Sequence, residues 1–127
     1  DLVRQMTIDV DVDFIKASSY VGTQSSGTVS IEDTTTRSLS GKPVILVDDI
    51  LDSGRTASAL FDRLSPQTHS MSLACLLRKP TAVTVTRPWR QVYIGRDIHP
   101  RFVYGYGMDL DGGARQHASV YVTAAHQ

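Results

Sequence analysis

Apolar and polar residues alternate strictly from Asp9 to Phe14, sending Val10, Val12 and Phe14 to one side of an extended chain and Asp9, Asp11 and Asp13 to the other. This pattern predicts a half-buried strand. Carboxylates sharing a face could hold a cation, but a solvated strand face is the favoured reading. TVSIE, from Thr28 to Glu32, alternates again, and the VGTQSSG that follows Tyr20 has Gly, Ser and Thr with almost no large apolar anchor. The pair reads as a β-hairpin with a long flexible tip.

Gly41, Lys42 and Pro43 then punctuate the start of VILVDDILDSGRTASAL, Val44 to Leu60. Val44 to Val47 is an unbroken apolar run, as expected of a central parallel strand covered on both faces. Beyond Gly54, the spacing of Ala57, Leu60, Phe61 and Leu64 predicts a helix, with Pro66 just past its end. MSLACLL, Met71 to Leu77, completes a β-α-β unit whose crossover should be right-handed. Pro80 and Pro88 bracket a loop with an interrupted strand at AVTVT, and VYI, FVYGY and SVYV are short strand candidates. The opening DLVRQM reads as the middle or end of a helix. The expected class is α/β: one domain over residues 1–127, a mainly parallel central sheet flanked by helices, and a flexible β-hairpin loop.

Composition adds bounds. With 127 residues and 41% hydrophobic content the chain suffices for one compact core. Thirteen basic and thirteen acidic residues cancel, so no global field recruits nucleic acid or an anionic membrane. The lone Cys75 has no intrachain disulfide partner, and no apolar run approaches the ~20 residues of a membrane span. A cytoplasmic location is the expectation. DLVRQM lacks a signal-peptide pattern, and sequence upstream of it is expected.

The chemistry concentrates at the end of the first apolar run. Ligands of open α/β sheets bind beyond the carboxyl ends of strands, where Asp48 and Asp49 are expected to face solvent, a cation or a polyol such as ribose. DSGRT, Asp52 to Thr56, follows directly before a helix, where free backbone N–H groups and the helix dipole form an anion site. Gly54 permits close backbone approach, and Ser53 and Thr56 add hydroxyls. Acids for a sugar beside amides for a phosphate imply a ribose-phosphate ligand. Each residue alone is equally an ordinary cap or turn former. The string is neither a P-loop nor a G-x-G-x-x-G dinucleotide turn. The four histidines, His69, His99, His117 and His126, have no ligand spacing and read as surface or loop residues. Cys75 reads as a buried, inert thiol, and Trp89 as a packing residue.

Four aliphatics, two acids and D-S-G-R-T resemble the phosphoribosyl-diphosphate (PRPP) motif of type I phosphoribosyltransferases. SSY at Ser18 to Tyr20, LLRKP at Leu76 to Pro80, YIGRDIHPRFVYGYGMD at Tyr93 to Asp109, and Arg115 are similar, in order and spacing, to hypoxanthine-guanine phosphoribosyltransferases. That resemblance implies the type I fold and Mg²⁺-dependent transfer of 5-phosphoribosyl from PRPP to N9 of a 6-oxopurine, hypoxanthine or guanine. It implies that Asp48 and Asp49 hold the ribose hydroxyls and that Asp52, Ser53, Gly54, Arg55 and Thr56 grip the 5′-phosphate. Asp52 would be the acid/base at purine N7, and Lys79 would donate to O6. Phe102 would stack on the base and Val103 present backbone groups to it. Asp109, with Asp48 and Asp49 nearby, would serve Mg²⁺, and Arg115 would serve pyrophosphate. Ser19 and Tyr20 would begin a closing lid, and the intact enzyme would be a homodimer or homotetramer.

The family's Leu-Lys-Gly pyrophosphate turn would precede DLVRQM, so the chain is expected to lack the N-terminal segment. Leu110 stands where the family usually has an aromatic residue, and Gln116, His117 and Ala118 replace its usual string after the arginine. Two other readings remain. The RNA-binding pyrimidine-operon regulators share the fold and a nearly identical acidic string, but would need more basic surface than Arg87, Arg90, Arg96 and Arg101 provide. A nucleotide-binding chain without turnover is the other.

Overall fold

The computed structural model describes residues 1–19, 29–32 and 35–123. Strands β1 (Lys16–Ser19) and β2 (Val29–Glu32) precede β3 (Pro43–Leu51), helix α1 (Arg55–Leu64), β4 (Ser70–Arg78), β5 (Val92–Asp97), β6 (Val103–Tyr104) and β7 (Tyr121–Val122). β3, β4 and β5 form a three-stranded parallel sheet with β4 in the middle. The β3-α1-β4 unit is therefore present as the apolar pattern predicts. Ala57, Leu60 and Leu64 of α1 are buried against Leu46, Met71, Leu73 and Cys75. Phe61, at the margin of this core, meets Trp89 edge-on with ring centroids 4.7 Å apart, which gives Trp89 its packing role.

Several expectations need correction. Among the described residues, β3 is not a central strand covered on both faces. It lies at an edge of the sheet they form: Leu46 is buried, whereas Ile45 and Val47 are 48% and 58% exposed. By the register of the ladders, Leu76 and Tyr93 share that open face. β4 is the strand with neighbours on both sides, and it is the most buried of the three although Leu76 lies on the open face.

Asp9 to Phe14 forms no strand, and Phe14 is 80% exposed. The acids of this stretch serve another purpose. Asp13 accepts from the N–H groups of Phe14, Thr36 and Arg37 at 2.9, 2.8 and 3.2 Å, bonds that hold its carboxyl below the ordinary range. Asp11 pairs with Arg37 and Lys42. Carboxylates that bond backbone N–H groups compete with a ladder, so strict alternation here marks tethers between segments. The antiparallel hairpin exists, but its first strand is β1, with Lys16 opposite Glu32 and Ser19 opposite Val29. Tyr20 and the VGTQSSG tip lie outside the described residues.

AVTVT is not a strand either. The N–H groups of Thr84 and Val85 both donate to the Ser53 carbonyl instead. DLVRQM contributes only a 3₁₀ turn, Val3–Gln5. The remaining short strands form where expected, as β5, β6 and β7.

Candidate active site

β3 runs to Leu51, so Asp48 and Asp49 lie within the strand and Asp52 is the first residue beyond it. Consecutive strand residues leave on opposite faces, and the two acids differ accordingly. Asp49 is exposed, whereas Asp48 is half-buried in register with Cys75. Burial first, and the neighbouring Asp49 charge second, push the Asp48 carboxyl up to about 6. Of the two acids, Asp49 thus faces solvent, while Asp48 is only half exposed because it lies on the face of β3 that carries Leu46. Burial also pushes the Cys75 thiol up to about 12, consistent with an inert sulfur.

Parallel register sets Leu51 opposite Arg78, and the Lys79 N–H extends the ladder to the Leu51 carbonyl at 3.0 Å. The next side chains, Asp52 and Lys79, therefore emerge together, and Lys79 Nζ donates to Asp52 Oδ2 at 2.6 Å. The Lys79 side chain is 13% exposed and that of Asp52 51%, so the carboxylate stands at the mouth and the ammonium behind it.

Ser53 and Gly54 then turn the chain into α1. Gly54 adopts φ +84°, and a Cβ there would lie 2.1 Å from the Val85 carbonyl oxygen, so both backbone conformation and contact require glycine. No side chain caps α1: Gly54 occupies the cap position, and the first helical bond runs from Ser58 N–H to Gly54 C=O at 2.9 Å. Ser53 Oγ makes only a long contact with Arg55 N, 3.4 Å. The cap explanation for DSGRT therefore falls away, and the first-turn amides remain available to an anion. Arg55 is exposed and Thr56 half-buried beside them.

Residues 102–115 supply a second group. Val103 and Met108 are buried with Leu77 of β4, and Ile50 packs against them, so this segment sits on the ends of the strands that carry Asp52 and Lys79. Phe102, next to Val103, is 54% exposed, free to meet a planar ligand. Asp109 Oδ2 accepts from Gly112 N–H at 3.1 Å, while its Oδ1 is buried without a hydrogen-bond partner. Arg115 approaches that oxygen at 3.5 Å and donates to Gly107 C=O at 2.7 Å. A buried carboxylate oxygen with unused capacity fits a cation, and Mg²⁺ is commonly held by one or two carboxylates together with substrate phosphates. Among the described residues, no group of three or more His, Cys, Asp or Glu side chains forms a closed metal site.

Thus the structure joins Asp52 to Lys79 and Asp109 to Arg115, and seats Val103 against the same strand ends. Ser19 ends β1, and Tyr20 is outside the described residues. The sequence reading missed two bidentate pairs, Arg78 with Asp97 and Arg87 with Asp62. The first joins residues paired in the β4–β5 register and was recoverable from it; the second had no local signal.

Residues 1–110 match the phosphoribosyl transferase domain family. The hypoxanthine-guanine phosphoribosyltransferase of Mycobacterium tuberculosis is 39% identical over 113 residues, covering 87% of this chain and 55% of that protein. That of Staphylococcus epidermidis is 34% identical, covering 86% of this chain and 61% of that protein. The chain thus spans little more than half the length of these curated relatives. A crystal structure of a hypoxanthine-guanine phosphoribosyltransferase from Bacillus anthracis superposes with a TM-score of 0.86 at 33% identity, covering 97% of this chain and 72% of that one. Hypoxanthine phosphoribosyltransferase from Trypanosoma cruzi, in complex with the product IMP, gives 0.78 at 29% identity, covering 93% of this chain and 62% of that one. With the strand-turn-helix geometry and the family match in agreement, the chain belongs to the phosphoribosyltransferases of the type I fold.

Proposed function

We propose that the chain carries the reaction centre of a purine-salvage enzyme, a hypoxanthine-guanine phosphoribosyltransferase. The observation that carries this reading is the Asp52–Lys79 pair at 2.6 Å. At its 6-position a 6-oxopurine presents an acceptor, whereas adenine presents a donor. Lys79 can only donate, which suits O6 and opposes an amino group. Asp52 beside it receives the proton from N7 when the base enters as its N7–H tautomer. A pocket whose buried donor is left unpaired by the wrong base discriminates strongly.

In the proposed reaction N9 attacks C1′ of PRPP as the C1′–O bond to pyrophosphate breaks. The electron pair leaves with pyrophosphate and the purine proton passes to Asp52, giving IMP or GMP. Asp49 and Asp48 hold the ribose hydroxyls, with Asp48 needed in its charged form. The turn Asp52 to Thr56 receives the 5′-phosphate on the uncapped amides of α1. Phe102 stacks on the base and the Val103 backbone meets its edge. Asp109 and the ribose acids are the residues that would hold Mg²⁺, which would supply charge neutralisation for the departing pyrophosphate. Arg115 lies beside Asp109 to bind the same group, and Ser19 and Tyr20 begin the lid.

Among the described residues, no helix is long and apolar enough to cross a membrane. A cytoplasmic enzyme, assembled as a homodimer or homotetramer, accompanies this reading. The test is a steady-state assay of the chain with guanine or hypoxanthine, PRPP and Mg²⁺, alongside GMP binding to the same sample. Nucleotide formation supports the enzyme. GMP binding without turnover would reduce the chain to a nucleotide-binding unit, and neither, from folded protein, would overturn the reading.

A further inference from the structure

Residues 83–87 pass across the start of α1 and touch the turn from behind. Thr84 and Val85 N–H donate to the Ser53 carbonyl at 3.0 and 3.2 Å, and Thr84 Oγ1 approaches the same oxygen at 3.4 Å. Because a trans peptide is planar, the Ser53 C=O and the Gly54 N–H point in opposite directions. Fixing the carbonyl toward this strap therefore aims the Gly54 N–H away from it, toward the side where an anion would sit.

The strap also lines an open cleft of about 430 Å³, together with Gly54, Ala57, Leu73 and Trp89. The far end is fixed by charge. Arg87 forks onto Asp62 of α1, Nε to Oδ1 at 2.6 Å and Nη2 to Oδ2 at 2.5 Å, and its Nη1 donates to the Thr86 carbonyl at 3.0 Å. Asp62 lies about two turns along the helix from Arg55. The strap is thus tied at one end to the turn and at the other to the helix that the turn begins.

We propose that Asp62 and Arg87 are positioning residues for the phosphate-binding turn, acting through the strap on the orientation of the Gly54 amide. This rests on the reading that the turn receives a 5′-phosphate. The pair touches no substrate; its effect is on the affinity gained from the phosphate and not on recognition of the base.

Binding of GMP and guanosine to the full chain isolates that quantity. Wild type should bind GMP more tightly, and Arg87→Ala should reduce this preference about tenfold or more while guanosine affinity stays constant, since small misplacements of such groups are costly. The exchanged pair Asp62→Arg/Arg87→Asp should restore part of the preference. Should Arg87→Ala fail to fold, Asp62→Asn carries the same comparison. An unchanged GMP preference in these variants would overturn the inference while leaving the phosphate site intact. Equal weakening of both ligands, or no restoration by the exchanged pair, would reduce the ion pair to a structural role and also overturn it. Wild type binding GMP no more tightly than guanosine would remove the phosphate site itself.

Discussion

The turn after β3 and the stretch 102–115 rest on the same strand ends, yet they are held in different ways. The first is fixed by parallel register, by the start of a helix and by a strap on its outer side. The second has only the two-residue β6–β7 pairing and otherwise depends on local bonds: Gly105 and Met108 exchange backbone bonds at 3.1 Å each, Leu110 and Gly113 exchange them at 3.0 and 2.9 Å, and Tyr106, Asp111 and Ala114 accept positive φ without being glycine. Each such residue costs roughly 1–2 kcal/mol. Rigid placement therefore falls to the part assigned in the proposal to phosphate and proton transfer, and the strained, locally bonded part is the one assigned to the base and the leaving group.

The difference can be broken or sharpened by substitution. Gly54→Ala should have the largest effect. A methyl 2.1 Å from the Val85 oxygen at φ +84° cannot be accommodated, and thermal unfolding together with GMP titration should show a destabilised protein without measurable nucleotide binding. Asp52→Asn should lower the melting temperature modestly, because the largely buried Lys79 ammonium loses its charged partner though an amide oxygen can still accept from it, while lowering turnover by about 10²- to 10⁴-fold. Turnover equal to wild type would end the assignment of proton transfer to Asp52.

Asp48→Asn should weaken GMP binding yet stabilise the fold. The Asp48 carboxyl titrates higher in the folded protein, about 6 against 3.8, so its protonated form favours folding. That contribution is complete below the unfolded value and is lost as pH rises through about 6, at a cost of up to ~3 kcal/mol near neutrality. Denaturant unfolding should find the variant more stable than wild type at neutral pH and equal to it below about pH 4. GMP affinity of wild type should fall as pH drops through about 6, because the carboxylate is the form that accepts from ribose. In the other region, Gly112→Ala should be mild. Nothing lies within 4 Å of the added methyl, so the expected loss is the ~1–2 kcal/mol of φ +83° alone. Glycine positions in the two regions would then differ as the two construction methods require.

The parts legible in the sequence follow the same division. Unbroken apolar runs, one helical period and the DSGRT string located β3, α1, β4 and the turn, because each is a regular element whose periodicity is written locally. Asp52 and Lys79 were identifiable by resemblance, but their contact arises from register between strands and becomes visible only when Leu51 meets Arg78. Asp9 to Phe14 misled because alternation records which side of an extended chain is polar, not whether a neighbouring strand exists. Val44 to Val47 misled for a related reason: an apolar run can signal two coverings, and here only one is present among the described residues. The Asp62–Arg87 fork was beyond reach because it depends on the path of a loop.

The ladder that carries Lys79 to Leu51 also limits how such a site can evolve. Asp52 and Lys79 each follow directly on a paired strand residue, Leu51 and Arg78, so in the proposed reading the base edge they meet is the least adjustable part of recognition. A change of preference between bases that share this edge must come from elsewhere. The Phe102 side chain and the glycine-rich bends after Tyr104, which the parallel register of β3 and β4 does not constrain, are where a descendant of this chain could acquire a new appetite without losing its fold.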